Sequence, residues 1–456
     1  PLVTHNERKT VLDSPSYGWY SVVNQDIVII LSDARSLHMD YTESSASTIN
    51  KTSSAKRRSP SADRKRQLII ESAECIFASR GFHDTTIADI SNDSGVHEAS
   101  IFQYFKTKEN LIVTVPERHL KETLAGITEH LQGMKGAEPK IRKLLWHQLR
   151  DLSVNKNYTS ILLSELRTLP AFYESPAYEM IRKYSAFAVE AIREGIRDHE
   201  VDPEVEVILV LEMIFGAIDS IVLRWLFFGD PYDPNDAADA LCSLIKAAIW
   251  SREEPVAYEN GDEPSRGELR RRSIMEVASE VFGKKGYGGA TISEIAGKVG
   301  IAEASIYQYY KSKEQLLLSV LGTWFIELAD ELERVFSGKL NPYERLLYLL
   351  RRWALDFQIR EWETRVLILE LYRNPKFYES QEYQNTRRFW KLIESTVEAG
   401  QQSGHFRKDF EISYYLHLVQ GAFEHEALAR MMLSKKQPTI AHTEQMINLL
   451  LSAIKA

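Results

Sequence analysis

At 456 residues the chain is too long for one hydrophobic core, so two or three domains are expected. Hydrophobic residues make up 44% and charged residues 26%, and the formal net charge is -8. This is the make-up of an ordinary globular protein and excludes a globally basic nucleic-acid binder, so any cationic surface must be local. Cys75 and Cys242 each stand alone in an apolar helical pattern, which excludes a disulfide framework or a zinc site. They read as two buried thiols in a reducing, cytoplasmic setting.

Residues 1–61 have no counterpart elsewhere in the chain and form an N-terminal extension. Val22 to Leu31 is an apolar island without a basic start or small-residue cleavage site, so it does not read as a cleavable signal. Thr42 to Ser61 is rich in Ser and Thr and carries Lys56-Arg57-Arg58. Disorder with a basic arm is the expectation there.

From Gln67 onward the chain repeats itself at an offset of 205 residues. Gln67–Val113 aligns with Arg272–Leu318 without a gap, with 19 identities in 47 positions. The register holds downstream: Pro170-Ala171-Phe172-Tyr173-Glu174-Ser175 recurs as Pro375-Lys376-Phe377-Tyr378-Glu379-Ser380, and Gly216-Ala217 as Gly421-Ala422. One unit has been duplicated, over about 62–250 and 267–456. The stretch 251–266 between them, with Pro255, Gly261 and Pro264, reads as a solvated linker reaching at most roughly 50 Å.

Each unit opens with an amphipathic helix, marked by Ile70, Ala73 and Phe77, then by Met275, Ala278 and Phe282. Gly81 and Gly286 are helix stops, and Thr86 and Thr291 are placed to cap a second helix. The next twenty residues carry a steep helical crossing. Ser91 and Ala296 are the small residues at the contact, Gly95 and Gly300 tolerate positive φ in the turn, and Ile101 and Ile306 plug the second helix inward.

Phe77, Gly81-Phe82, Thr86-Ile87, Ile90, Gly95-Val96 and Ile101 to Glu109 resemble the DNA-binding domain of the tetracycline-repressor (TetR) family. So do Gly286-Tyr287, Thr291-Ile292, Ile295-Ala296, Gly300-Ile301 and Ile306 to Glu314. The resemblance implies an all-α protein of two tandem TetR-like units. Each has a three-helix helix-turn-helix domain (62–115 and 267–320) and a larger helical effector and dimerisation domain (116–250 and 321–456).

The implied function is ligand-responsive transcription regulation on double-stranded operator DNA, as a repressor released by a small apolar or acyl-type effector. The recognition helices would be about His97–Phe105 and Ala302–Tyr310. DNA contacts are expected from Thr86, Glu98, Ser100, Phe102, Tyr104 and Lys108, and from Thr291, Glu303, Ser305, Tyr307, Tyr309 and Lys313. Phe102 lacks the hydroxyl of Tyr307 and cannot hydrogen-bond a phosphate. Lys108 and Lys313 open the following helix, a position suited to a phosphate. Arg64-Lys65-Arg66 and Arg270-Arg271-Arg272 can neutralise others. Glu98 and Glu303 are acidic where many relatives are not. They can repel phosphate, accept from cytosine N4, or complement the positive end of their own helix.

In the sensing halves, Trp146, Leu149, Phe172, Tyr173, Tyr184 and Phe187, then Trp353, Phe357, Phe377, Tyr378 and Phe389, form aromatic stripes. The resemblance makes Trp146, Leu149, Phe172, Tyr173, Tyr184, Trp353, Phe357, Phe377 and Tyr378 candidate effector contacts. Met213 to Asp219 with Trp225 resembles the fatty-acid-degradation branch, which makes a fatty acyl-coenzyme A one candidate effector. The second unit departs from it at Gln420 to His425, so the two pockets are expected to differ.

Val205 to Phe228 is the most apolar stretch, but Glu206, Glu212, Asp219 and Arg224 break it, so an interface helix fits and a membrane span does not. The resemblance implies that Glu204–Phe228 with Asp236–Trp250, and Ile412–Met432 with Thr443–Ile454, pair into the four-helix interface of family dimers, here as an intramolecular pseudo-dimer. A homodimer carrying four DNA-binding domains is the alternative. No catalytic constellation, cofactor or metal site is implied. His417, Glu424 and His425 could share a helix face, but the first unit has Glu212, Asp219 and Ser220 there. The rival reading is a ligand sensor or partner-binding protein with weakened DNA binding.

Overall fold

The structure is a computed structural model and describes residues 60–230, 232–250, 266–336, 340–433 and 438–456. The expected extension and linker lie outside the described residues, apart from 60, 61 and 266, which begin helices. The side chains of Arg270, Arg271 and Arg272 lie outside them too. The described chain is helical but for one antiparallel bridge, Phe406 to Lys455.

The first unit comprises α1 (Pro60–Arg80), α2 (Ile87–Ser94), α3 (Glu98–Tyr104), α4 (Lys108–Ile112), α5 (Pro116–Leu131), α6 (Ala137–Val154), α7 (Lys156–Ser164), α8 (Pro170–Tyr173), α9 (Pro176–Arg197), α10 (Val207–Phe228) and α11 (Ala237–Trp250). The second repeats the order as α12 (Arg266–Gly289), α13 (Ile292–Val299), α14 (Glu303–Tyr307), α15 (Lys313–Phe336), α16 (Pro342–Ile359), α17 (Glu361–Leu369), α18 (Pro375–Tyr378), α19 (Gln381–Ser403), α20 (Ile412–Met432) and α21 (Ile440–Ser452). In α15 one long helix takes the place of α4 and α5.

Local chemistry sets the boundaries. Thr86 caps α2 through a reciprocal box with Asp89, and α2 ends at Gly95 with φ 65°. Thr291 caps α13, which ends at Gly300 with φ 76°. Gly286, at φ 68°, breaks α12 where Gly81 ends α1. Ile69, Ala73, Phe77, Ile90, Ile101 and Leu111 bury together to hold the first three-helix domain.

The two units share a four-helix interface. α10 packs along α20, and α11 packs against both α20 and α21. Gly216 and Gly421 meet there, so close that a Cβ on either would overlap the other's backbone. Ser220 Oγ lies 3.0 Å from His417 Nδ1, and Tyr232 OH 3.3 Å from His417 Nε2. Burial pushes that imidazole down to about 3, so it is neutral and bridges two hydroxyls. Arg373 bonds the Ser164 carbonyl across the same interface. The most apolar stretch, read as an interface helix, is α10, and no described helix is long and apolar enough to cross a membrane.

One expectation fails here. Cys75 is exposed, because it sits on the far side of α1 from Ala73 and Phe77, within 3.8 Å of Asn157 Nδ2. Cys242 is buried, and burial pushes its thiol up to about 11.

Candidate functional site

The two DNA-facing elements are α3 and α14. Each is anchored by one isoleucine, Ile101 or Ile306, both with no exposed surface. Anchoring from one side leaves the other face in solvent: Phe102 is 49% exposed and Tyr307 48%. Tyr309 is also exposed and Tyr104 half-buried, while Glu98 and Glu303 are exposed in the first turns. Ser100 and Ser305 are half-buried. The helices start differently, since His97 Nδ1 accepts from Ala99 N at 3.2 Å whereas Ala302 offers no side-chain cap. α14 ends at Tyr307, short of the expected Tyr310. Thr86 and Thr291 are exposed, with their hydroxyls engaged as caps.

Lys108 and Lys313 are placed differently from the expectation. Lys108 Nζ donates to Phe82 O at 2.7 Å and Thr85 O at 2.8 Å, and lies 4.4 Å from the Phe82 ring centre. Lys313 Nζ does the same with Tyr287 O at 2.6 Å, Ala290 O at 2.9 Å and the Tyr287 ring at 4.3 Å. Two carbonyls and a ring face occupy the ammonium, so each lysine staples the turn after the first helix to the start of the fourth. Exposed cations at this end include Arg64 and Lys65 at the start of α1, and Lys106 and Lys311 just beyond the two recognition helices.

Behind the first DNA-facing domain lies a cavity of about 260 Å³ among α5, α6, α7, α9 and α10. Its wall is mostly apolar, with Leu152, Tyr158, Leu162, Phe215 and Ile218, and the other unit closes it with Leu428 of α20 and Leu433 just past its end. The polar wall is small. Arg167 grips Asp219 through two bonds of 2.5 and 2.8 Å, and Asp151 accepts from Thr123 Oγ1 at 2.8 Å. Burial pushes the Asp151 carboxyl above its ordinary range. Gln148 Oε1 is buried in the wall without a hydrogen bond.

Of the aromatic candidates, Phe172, Tyr173 and Tyr184 line this cavity. Trp146 and Leu149 do not: Leu149 is wholly buried in packing and Trp146 lies under Lys143 and Arg150. The helical period explains this, because Gln148, Asp151 and Leu152 share the cavity face of α6. Trp353, Phe357 and Phe377 are packed core, and Tyr378 lines a separate recess of about 390 Å³ with Tyr372, Tyr383 and Trp390. Gln148, Tyr158, Arg167, Phe215 and Asp219 were missed. The mismatch of Gln148 with Trp353 in the repeat alignment was the available signal.

The cavity is joined to the DNA-facing domain. Tyr158 stacks on His119 at 4.7 Å between ring centres and 9° between planes. His119 Nε2 lies 3.1 Å from both carboxylate oxygens of Glu74 on α1. Tyr158, His119 and Glu74 thus form a continuous run of contacts from the cavity wall to α1. His417, Glu424 and His425 do not converge. His417 faces Ser220 and Tyr232, Glu424 accepts from Tyr372 and Gln420, and among the described residues no group of three metal-type side chains comes together.

Residues 69–115 and 274–320 each match the family described as bacterial regulatory proteins, tetR family. Residues 117–248 match the family described as YsiA-like protein, C-terminal region. The chain is similar to the fatty acid metabolism regulator protein of Bacillus subtilis, 23% identical over 184 residues, covering 40% of this chain and 95% of that protein. It is also similar to the HTH-type transcriptional repressor KstR2 of Mycolicibacterium smegmatis, 25% identical over 166 residues, covering 35% and 78%. Among solved structures, the transcriptional regulator FadR of Bacillus subtilis is similar over 39% of this chain and 96% of that one, at 23% identity and a TM-score of 0.37.

Proposed function

The chain belongs to the TetR family of bacterial transcription regulators and carries two of its units in tandem, and from that premise we propose that it is a repressor released by an acyl-type effector. The observation that carries this reading is the apolar cavity of the first unit, whose wall residue Tyr158 stacks on the His119 that holds Glu74 of α1. Its roughly 260 Å³ is slightly below the usual range of ligand sites and suits a slender apolar chain over a bulky one. That a relative is a fatty acid metabolism regulator protein supports the same chemistry.

α3 and α14 would read one operator together, their exposed faces offering Phe102 and Tyr307, with half-buried Tyr104 on α3, Tyr309 just beyond α14, and Arg64 and Lys65 neutralising phosphates. An effector lowers operator affinity only through its preference for one arrangement of the two domains. Fluorescence anisotropy of a selected duplex, titrated with protein at rising concentrations of fatty acyl-coenzyme A, tests this. The apparent Kd should rise by about tenfold or more. Unchanged affinity at concentrations where the ligand demonstrably binds overturns it.

Glu98 and Glu303, exposed on the two DNA-facing helices, favour one other reading: a sensor that binds a protein partner in place of DNA. DNA affinity that hardly responds to salt would support that alternative.

A further inference from the structure

The two units fill equivalent space differently. Leu120, Gln148, Leu152 and Tyr184 line the first unit's cavity. At the 205-residue offset, Phe325, Trp353, Phe357 and Phe389 stand in their places. These four, with Trp324 in place of His119, are each at most 1% exposed and packed on one another. Trp353 lies 4.6 Å from both Phe357 and Phe389, and 5.7 Å from both Trp324 and Phe325, between ring centres. Trp324 Nε1 donates to Asp356 Oδ2 at 2.8 Å, and Asp356 in turn pairs with Arg352, so the cluster is tied in place. The recess beside Tyr378 preserves only the outer part of the equivalent space, bounded by Tyr372, Tyr383 and Trp390.

The link to the DNA-facing domain is equally one-sided. Ser279 occupies the position of Glu74 and Trp324 that of His119, so the second unit has no such carboxylate–imidazole contact at these positions. The second unit does, however, complete the first unit's cavity through Leu428 of α20 and Leu433 at its C-terminal end.

We propose that the chain has one deep sensing chamber, in the first unit, and that the second unit, whose inner chamber is permanently filled and whose outer recess alone stays open, acts as its fixed partner. This rests on the effector reading above. A ligand reaching the inner chamber of the second unit from its outer recess would have to displace a close-packed aromatic cluster, whereas in the first unit that inner space is already present. Gln148 against Trp353, and Leu152 against Phe357, decide which unit senses. One site per chain gives a simple hyperbolic response.

The test uses the full chain with dansyl-undecanoic acid, a fluorescent fatty acid, beside thermal unfolding. The wild-type chain should bind one equivalent. Gln148→Trp with Leu152→Phe should abolish binding, and Trp353→Gln should leave it intact. Without any ligand, Trp353→Gln should lower Tm by roughly 5–15 °C, while Gln148→Trp should shift it by no more than about 2 °C. Two equivalents per chain overturn the proposal, as does a Gln148→Trp melting loss equal to that of Trp353→Gln. If the probe fails to bind while the melting asymmetry holds, the single chamber stands and the acyl-type effector falls.

Discussion

Gly216 and Gly421 lie backbone against backbone where α10 crosses α20. They are the same position of the repeat, so the chain's internal symmetry axis passes between two residues without side chains. Glycine is required there because the contact partner is main chain, which cannot swing aside. Gly216→Ala should cost about 3 kcal/mol or more, at the upper end for overpacking, and broaden the cooperative transition. Chemical denaturation checks it, and a change below about 0.5 kcal/mol would mean that the helices are further apart.

The turned-in lysines separate stability from DNA contact. Lys108→Met should destabilise the first domain by about 2 kcal/mol, since it removes two charge-assisted bonds to buried carbonyls. It should leave the salt dependence of DNA binding nearly unchanged. Lys65→Ala, at an exposed site, should do the opposite and reduce the slope of log K against log salt by about one.

The Glu74–His119 pair should carry the effector signal. Glu74→Ala should leave ligand affinity within about twofold and reduce the effector's influence on DNA affinity by about tenfold. Paired titrations of ligand and duplex measure both quantities. Full release of DNA by the variant would assign coupling to another path, such as Arg373 on Ser164.

Glu424 makes the unit interface sensitive to pH below neutrality. Burial pushes its carboxyl up to about 7, against bonds from Tyr372 and Gln420 that favour the ionised form. A folded value above the ordinary 4.5 means that the folded chain holds the proton longer than the unfolded chain. Its stabilising effect is complete below about pH 4.5 and is lost as pH rises through about 7, by at most on the order of 3 kcal/mol. Melting curves from pH 5 to 8 should show the wild-type chain losing stability relative to Glu424→Gln. Parallel curves would show that Glu424 does not titrate there.

Much of this architecture was legible before any coordinates. Gly95, Ile101 and their duplicates define the helix-turn-helix because turn and plug are local demands, met twice at one spacing. The pairing of α10 with α20 followed from the resemblance to a family that dimerises through its last helices. Side-chain direction was less accessible. Lys108 reads as a surface cation until the carbonyls of Phe82 and Thr85, more than twenty residues away, are brought to it. Leu149 and Gln148 are neighbours in sequence, and only packing shows that the polar one faces the cavity. The aromatic stripes looked alike in both units, although one borders a space and the other fills it.

The claim on which the rest depends is that one polypeptide does a dimer's work on DNA. Native mass spectrometry of the full chain with a duplex selected for specific binding tests it directly. One chain per duplex at saturation, with binding lost when either recognition helix is disrupted (Phe102→Asp or Tyr307→Asp), is the expected result. Two chains per duplex at every ratio, or binding that survives disruption of one helix unchanged, would contradict it.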